Sequence, residues 1–173
     1  MEPPPESERT AAEAISFRAS LAPGDRQRVL SIVRSTGVFS AAEIAIAGEL
    51  VEERLAEGER SGYHFVFAER GGATEGYACY GPIAGTVESF DLYWIAVHAR
   101  CQGRGLGRKL LAEAERRIVL SGGRRVYVET SGRAAYRATR AFYARNGYRP
   151  EAALTDFYAP GDDKLIFVKV LPT

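Results

Sequence analysis

The stretch "VHARCQGRGLGRKLL" (Val97–Leu111) joins an apolar run to a helical pattern, and it decides the fold. Glycines stand at alternate positions in it, at Gly103, Gly105 and Gly107. Glycine inside a helix costs about 1 kcal/mol relative to alanine, so three glycines where a helix begins require a reason. Glycine lets an anion approach the backbone, and the first N–H groups of a helix lack partners within the helix. We therefore predict a polyanion site at this helix start.

Two familiar phosphate-binding patterns do not fit these glycines. The dinucleotide fingerprint requires G-x-G-x-x-G, whereas the glycines here run G-x-G-x-G, and the triphosphate loop requires a Gly-Lys-Ser/Thr ending that is absent. A structural turn before a surface helix is the remaining alternative. Cationic side chains nevertheless surround the same point: Arg100, Arg104, Arg108 and Lys109.

Composition sets the class of protein. The 173 residues suit one domain, with 46% hydrophobic and 26% charged residues. A formal net charge of +1 does not favour binding to nucleic acid or to an anionic membrane. Two cysteines do not form a disulfide framework, and no apolar run approaches the roughly 20 residues of a membrane span. We expect a cytoplasmic protein without nucleic-acid or membrane partners.

The chain divides into a tail and one domain. Residues 1–14, "MEPPPESERTAAEA", are rich in proline and charge and predict a flexible N-terminal tail before a domain over residues 15–173. Periodicity and turn residues predict the order β-α-α-β-β-β-α-β-α-β-β, a mixed sheet with one parallel crossover. The predicted strands are Ile15–Ala19, Tyr63–Glu69, Glu75–Tyr80, Val87–Val97, Arg125–Thr130, Tyr148–Tyr158 and Lys164–Val170.

Helix boundaries follow from capping residues. Pro23 is predicted as a first helical residue, and Ser40 with Glu43 as a capping box. Ala134–Asn146 is predicted as one helix that Gly147 ends in a left-handed conformation. The run "LYWIAV" predicts a strand buried on both faces, which places its aromatic residues in the core.

Two motifs resemble one family. "Q-x-x-G-x-G" at Gln102–Gly107, after a strand ending in "IAV", resembles the acyl-CoA pyrophosphate loop of the GNAT N-acetyltransferase superfamily. "TRAFYARNGYRP" (Thr139–Pro150) is similar to that family's "A-x-x-F-Y-x-x-x-G-F" element, and the element order also matches over about Ile15–Leu171. The chain departs from the family pattern at Tyr136, where Asn is frequent, and at Thr139, where Ala is usual.

The resemblance implies an α/β fold and a cofactor site. The fold would be a single-domain, mostly antiparallel twisted sheet of about seven strands, with helices on both faces. A splayed parallel pair, Val87–Val97 and Arg125–Thr130, would admit acetyl-CoA as the co-substrate, without a metal. The implied cofactor-binding residues are Ile95, Ala96 and Val97 for pantetheine, and Gln102, Gly103, Arg104, Gly105, Leu106, Gly107 and Arg108 for the pyrophosphate.

The resemblance also implies catalytic residues. Tyr143 matches the family's tyrosine beside the coenzyme sulfur and would be the general acid, although a phenol packed on the last helix is the structural alternative. Asp91 falls where some members carry a glutamate base, and strand alternation places it on one face with Tyr93 and Ile95. Glu88 and Glu129 are alternative bases, and a solvated or salt-bridged carboxylate is equally compatible with Asp91.

The C-terminal hairpin is expected to wall the acceptor site in this family. Its acidic and aromatic side chains, with Glu88 and Glu129, suit a cationic primary amine, while "PGDD" is also favourable turn chemistry. These hairpin residues are Asp156, Phe157, Tyr158, Asp162 and Asp163. His64, Cys79, His98 and Cys101 are too irregularly spaced to predict a zinc site.

These observations predict an N-acetyltransferase that moves an acetyl group from acetyl-CoA to a primary amine of a small molecule. A non-catalytic acyl-CoA-binding or regulatory module with the same fold is one alternative. A protein acetyltransferase acting on an N-terminus or a lysine is another, and a homodimer stays open as the oligomeric state.

Overall fold

The fold is described by a computed structural model that covers residues 14–172. The flexible tail predicted over residues 1–14 therefore lies, apart from Ala14, outside the described residues. Within residues 14–172, no helix is long and apolar enough to cross a membrane.

The described chain forms seven strands and four α-helices in the predicted order. The strands are β1 (Ser16–Arg18), β2 (His64–Arg70), β3 (Ala73–Pro82), β4 (Ser89–Val97), β5 (Arg125–Ser131), β6 (Arg149–Ala159) and β7 (Asp162–Val170). The helices are α1 (Asp25–Ser35), α2 (Ala41–Glu57), α3 (Leu106–Leu120) and α4 (Arg137–Arg145).

The strands form one mixed seven-stranded sheet in the order β1-β2-β3-β4-β5-β7-β6. β4 and β5 are parallel, whereas β5 with β7 and β6 with β7 are antiparallel. The predicted α/β class, the number of strands and the parallel crossover through α3 are confirmed.

The first of two compact units contains residues 14–78 and 95–113. Its helix α1 begins at Asp25 after Gly24, so the prediction that Pro23 is the first helical residue is wrong. The buried carboxylate of Asp25 sets this start, because it accepts a hydrogen bond from the Ala22 amide at 2.7 Å and pairs with Arg18 at 2.8 Å. Around the start of α2, the capping box of Ser40 and Glu43 is confirmed.

The second unit contains residues 79–94 and 114–172. Phe90 and Leu92 of β4 are buried, but Tyr93 is 40% exposed, so the prediction of a strand buried on both faces is wrong there. The predicted single helix before Gly147 is divided into a 3₁₀ turn, Ala134–Tyr136, and α4. Gly147 has the predicted left-handed conformation, with φ 87°.

The strand registers of the second unit define two faces of the sheet, since directly paired residues point to the same side. Asp91 pairs with Tyr127 across β4 and β5, and Ser131 pairs with Lys164 across β5 and β7. Because alternate residues share a face, Asp91, Glu129 and Lys164 lie on one side, which we call the carboxylate face. The opposite side carries Val126, Val128, Thr130 and Phe167.

Gly123 connects α3 to β5 with no room for a side chain. A Cβ at this position would stand 2.6 Å from Cδ2 of Phe90 and closer still to Cγ2 of Ile118. We expect Gly123→Ala to lower the free energy of unfolding by about 2 kcal/mol, because both core residues must shift. Denaturant unfolding checks this, with Gly132→Ala as the control, since its Cβ would approach Asp163 no closer than 3.4 Å. Equal stability losses in the two variants would contradict the expectation.

Candidate active site

β4 and β5 part in the middle of the second unit. Their parallel pairing joins Ser89, Phe90 and Asp91 to residues Arg125–Tyr127, and among the described residues the register extends no further. β5 nevertheless continues to Ser131 along its other neighbour, β7. Asp91 therefore stands at the last paired position, where the predicted splayed pair opens.

The Asp91 carboxyl group is a weaker acid than an ordinary aspartate. Burial, together with the negative charge of Glu129 and against the positive charge of Lys164, raises the pKa of Asp91 from 3.8 to about 6. A carboxylate with this pKa is still ionised at neutral pH and holds a proton more readily than a solvated one. Of the two alternatives left open by the sequence, the fully solvated carboxylate does not describe Asp91.

Lys164 and Glu129 share the carboxylate face with Asp91. The Lys164 Nζ atom lies 2.7 Å from Oε2 of Glu129. The same ammonium stands 3.9 Å from the ring centre of Phe157 and 5.8 Å from that of Tyr158. We call Glu129, Phe157, Tyr158 and Lys164 the ammonium cage. The structure therefore brings two of the predicted substrate-binding residues, Glu129 and Tyr158, together around Lys164, and the charges of Glu129 and Lys164 act on Asp91.

Glu88 lies outside this group. It precedes β4, its side chain is exposed, and its carbonyl oxygen accepts hydrogen bonds from the amides of Arg124 and Arg125 at 2.8 and 3.1 Å. Its backbone thus helps to fix the start of β5. This position gives no support to Glu88 as the base or as a substrate ligand.

The carboxylates of the C-terminal hairpin make hydrogen bonds within the hairpin and to β5. The Asp156 carboxylate accepts a hydrogen bond from the Gly161 amide at 2.6 Å, and the Asp156 amide donates to Asp163 at 2.9 Å. Asp162 is buried and accepts from the Ser131 hydroxyl at 2.5 Å. The three carboxylates hold the hairpin turn and tie it to β5, and a role of Asp156 in binding the acceptor stays a prediction.

Tyr143 lies on the opposite side from Asp91. Helix α4 places its ring 5.4 Å from the ring of Tyr148 and 6.5 Å from the ring of Phe167, which belongs to the other face of the sheet. Burial raises the pKa of Tyr143 well above its ordinary value, so the phenol keeps its proton. This geometry is compatible with a general acid and with the packed phenol that the sequence left as the alternative.

The glycine loop, Gln102–Gly107, belongs to the first unit. Gly103 and Gly105 have φ of 76° and 77°, a left-handed conformation that side chains rarely adopt. Beyond their chain neighbours, no atom of residues 14–172 lies within 4 Å of where their Cβ would stand. Gly107 lies in the first turn of α3. Two of the three glycines are thus required by the backbone, and the same glycines leave the loop amides open to an anion.

The other predicted cofactor-binding residues differ in the contacts that they make within the protein. The Gln102 amide donates to Ala99 at 3.3 Å and its side chain donates to the Val97 carbonyl at 3.0 Å, so Gln102 holds the loop shape. Ile95, Ala96 and Val97 end β4, and the Ala96 carbonyl lies so close to Gly76 that a Cβ there would stand 2.9 Å away. Arg104 and Arg108 are exposed, as side chains that meet phosphates must be.

Comparisons with known proteins assign the family. A family model for the acetyltransferase (GNAT) domain matches residues 61–150. A GNAT acetyltransferase-family protein from Desulfovibrio desulfuricans has 48% sequence identity and a TM-score of 0.89, over 91% of this chain and 99% of that chain. The chain belongs to the GNAT acetyltransferase family. Among curated proteins, none matches the chain.

More distant solved structures share the fold. A ribosomal-protein-alanine N-acetyltransferase from Brucella melitensis is 25% identical, with a TM-score of 0.72 over 90% of this chain and 99% of that one. An aminoglycoside 6'-N-acetyltransferase complexed with coenzyme A is 17% identical, with a TM-score of 0.72 over 92% and 98% of the two chains.

Sequence reasoning missed Lys164 as a member of the site. It is one of three lysines in a chain with twenty arginines, which is a weak signal. Its partners come from β5 and β6, the two strands that flank its own strand β7, so no local spacing reveals the cage. Only the pairing of these strands brings the groups together.

The pKa of Asp91 makes a direct test. We expect the NMR chemical shift of the Asp91 carboxyl carbon to titrate with a midpoint of about 6. Glu129→Gln should lower the midpoint because it removes a negative charge, and Lys164→Met should raise it because it removes a positive one. Glu88→Gln is the matched control and should leave it unchanged. A midpoint near 4 in the wild-type protein would contradict the assignment.

The same shift has a consequence for stability. Because the folded-state pKa lies above the ordinary 3.8, the fold loses stability as pH rises from that value through about 6 and Asp91 ionises. Asp91→Asn should therefore gain stability relative to the wild-type protein above pH 6 and not at pH 4, as measured by denaturant unfolding at both pH values.

Proposed function

We propose that this chain transfers an acetyl group from acetyl-CoA to a primary amine of a small molecule. The observation that carries the proposal is Asp91, a partly buried carboxylate with pKa of about 6 at the point where β4 and β5 part. A base with this pKa at an opening in the sheet is suited to take a proton from an amine at neutral pH.

The residues of the glycine loop fit acetyl-CoA. The left-handed Gly103 and Gly105 leave space where side chains would stand, at the start of a helix whose first amides carry partial positive charge. Gly103, Gly105, Leu106 and Gly107 would hold the pyrophosphate with backbone N–H groups, while Arg104 and Arg108 supply charge. When bound, acetyl-CoA supplies an activated acetyl thioester. The coenzyme A in the similar aminoglycoside acetyltransferase structure supports this donor.

Asp91 would act as the general base. Its carboxylate is ionised at neutral pH and accepts the proton that the attacking amine must lose. Glu129, on the same face, raises the pKa of Asp91 and adds negative charge that attracts a cationic amine. The acceptor would thus approach from the carboxylate face.

Tyr143 would act as the general acid. Its raised pKa keeps the phenol protonated, so the O–H group can donate to the departing sulfur. Tyr143 packs with Phe167 on the side of the sheet opposite Asp91. Acid and base on opposite sides of the strand gap would let the thiol leave on one side while the amine enters on the other.

Acetylation of a protein N-terminus is the second candidate. The 25% identical protein from Brucella melitensis is a ribosomal-protein-alanine N-acetyltransferase, and its named acceptor is an amine as well. The aromatic side chains around the Lys164 ammonium favour a small cationic acceptor instead. A cytoplasmic location and a homodimer stay predictions.

The glycine loop can be tested by blocking it. Gly105→Val should weaken the binding of coenzyme A at least tenfold in calorimetry, because a branched side chain would cover the loop amides. Gly85→Val is the matched control, since Gly85 has the same φ of 77° and equally open surroundings and therefore carries the same backbone strain. Equal affinities in the two variants would refute the assigned phosphate site.

The role of Tyr143 can be separated from its packing. Tyr143→Phe should lower kcat about a hundredfold in a thiol-release assay with acetyl-CoA, with coenzyme A affinity nearly unchanged, because only the proton donor is lost. Tyr148→Phe is the control, since it removes a buried hydroxyl from the adjoining ring and should change kcat only a few-fold. Similar kcat losses in both variants would leave only a packing role for Tyr143.

A further inference from the structure

The ammonium cage holds a cation in the way that a receptor for amines does. The Lys164 Nζ atom donates to Glu129 at 2.7 Å and lies over the Phe157 ring at 3.9 Å, with the Tyr158 ring at 5.8 Å. A carboxylate and two aromatic rings around one ammonium combine ion pairing with cation–π attraction. The fit of this group to an ammonium is therefore observed directly, with Lys164 as the occupant.

The walls of the cage are more accessible than its occupant. The Lys164 side chain is 15% exposed, whereas Glu129 is 48% exposed and the rings of Phe157 and Tyr158 are 52% and 48% exposed. A cation from solution can thus meet the same carboxylate and rings. The Glu129 partner of the ion pair is half exposed, so a dissolved cation can compete with Lys164 for this carboxylate.

We propose that the ammonium cage is a subsite for a second cationic group of the acceptor, and that Lys164 occupies it until the acceptor arrives. This inference rests on the proposed function for the role of the neighbouring Asp91, which would receive the reacting amine. The acceptor class is then a diamine, with one amine at Asp91 and the other in the cage.

The spacing on the sheet suits a short diamine. Asp91 pairs with Tyr127, and Glu129 lies two residues further along β5 on the same face. Two strand residues span about 7 Å, within reach of a flexible four-carbon chain with an amine at each end. Lys164 competes for the second position, because two ammonium ions cannot share one carboxylate and one ring face without repulsion.

Binding without acetyl-CoA tests the subsite. NMR titrations that follow the Phe157 and Tyr158 ring signals would use 1,4-diaminobutane, butylamine and 4-aminobutanoate as probes. Lys164→Met keeps the aliphatic stem and removes the competing charge, so the Kd of 1,4-diaminobutane should fall about fivefold relative to the wild-type protein. The Kd of butylamine, which has no second cation, should change less than twofold.

Lys169→Met is the matched control. Lys169 lies on the same strand as Lys164 but on the opposite face of the sheet. It pairs with Glu115 at 2.7 Å and stands 5.6 Å from the ring centre of Tyr148, so the Lys169→Met substitution removes an equivalent ion pair. The Kd of 1,4-diaminobutane should be the same in this variant and in the wild-type protein. An equal gain in both variants would overturn the proposal, since a general change of charge would then explain it.

Two further results would also overturn the proposal. One is an unchanged Kd for 1,4-diaminobutane in Lys164→Met. The other is a loss of 4-aminobutanoate binding in that variant, which would show that Lys164 binds an acceptor carboxylate. Lys164→Gln also removes the competing charge and provides the same test if Lys164→Met does not fold. Adding Phe157→Leu to either variant removes an exposed wall of the cage with no competing ammonium present and should raise the diamine Kd about fivefold relative to that variant.

The two hypotheses, the cation subsite and the proposed reaction, can be contradicted separately. Diamine binding that responds to Lys164→Met, together with no thiol release from acetyl-CoA, would support the cage and contradict the reaction. Thiol release with butylamine and 1,4-diaminobutane at equal kcat/KM, in both the wild-type protein and Lys164→Met, would support the reaction and overturn the cage.

Discussion

The candidate site depends on the place where two parallel strands stop pairing. β4 and β5 are joined from Ser89 to Asp91 and then separate, while β5 stays paired with β7 along its other edge. A strand that loses one neighbour exposes backbone donors and acceptors that must be satisfied by something else. Asp91 is the last paired residue of β4, and Tyr143 packs with Phe167 on the opposite face of the sheet.

On the carboxylate face, the pKa of Asp91 depends on burial and on the charges of two neighbours, Glu129 and Lys164. Burial and Glu129 raise the pKa of Asp91, and Lys164 lowers it, so the position of one lysine bears on how the base titrates. If an incoming cation replaces the Lys164 ammonium, a positive charge stays near Asp91 and continues to lower its pKa. The aromatic rings of Phe157 and Tyr158 stabilise either ammonium without adding charge. Catalysis and acceptor recognition would then share one set of residues.

Local chemistry explains which predictions succeeded. The capping box of Ser40 and Glu43 and the left-handed Gly147 depend on residues within a few positions, and both are found. The start of α1 was misplaced because the buried Asp25 carboxylate, paired with Arg18 from β1, outweighs the preference of proline for the first helical turn. The engagement of Asp156 follows from turn geometry, because its carboxylate accepts a hydrogen bond from the Gly161 amide within the same hairpin.

The sequence by itself determined the order of elements, the family and the loop that suits a phosphate, because glycine spacing, caps and strand alternation are set by residues close together in the chain. Tertiary structure alone decided where β4 leaves β5, that Asp91 is buried enough for its pKa to rise, and that Lys164 stands between Glu129 and Phe157. Burial and charge proximity depend on strand pairing across dozens of residues. No local pattern in the sequence records those distances.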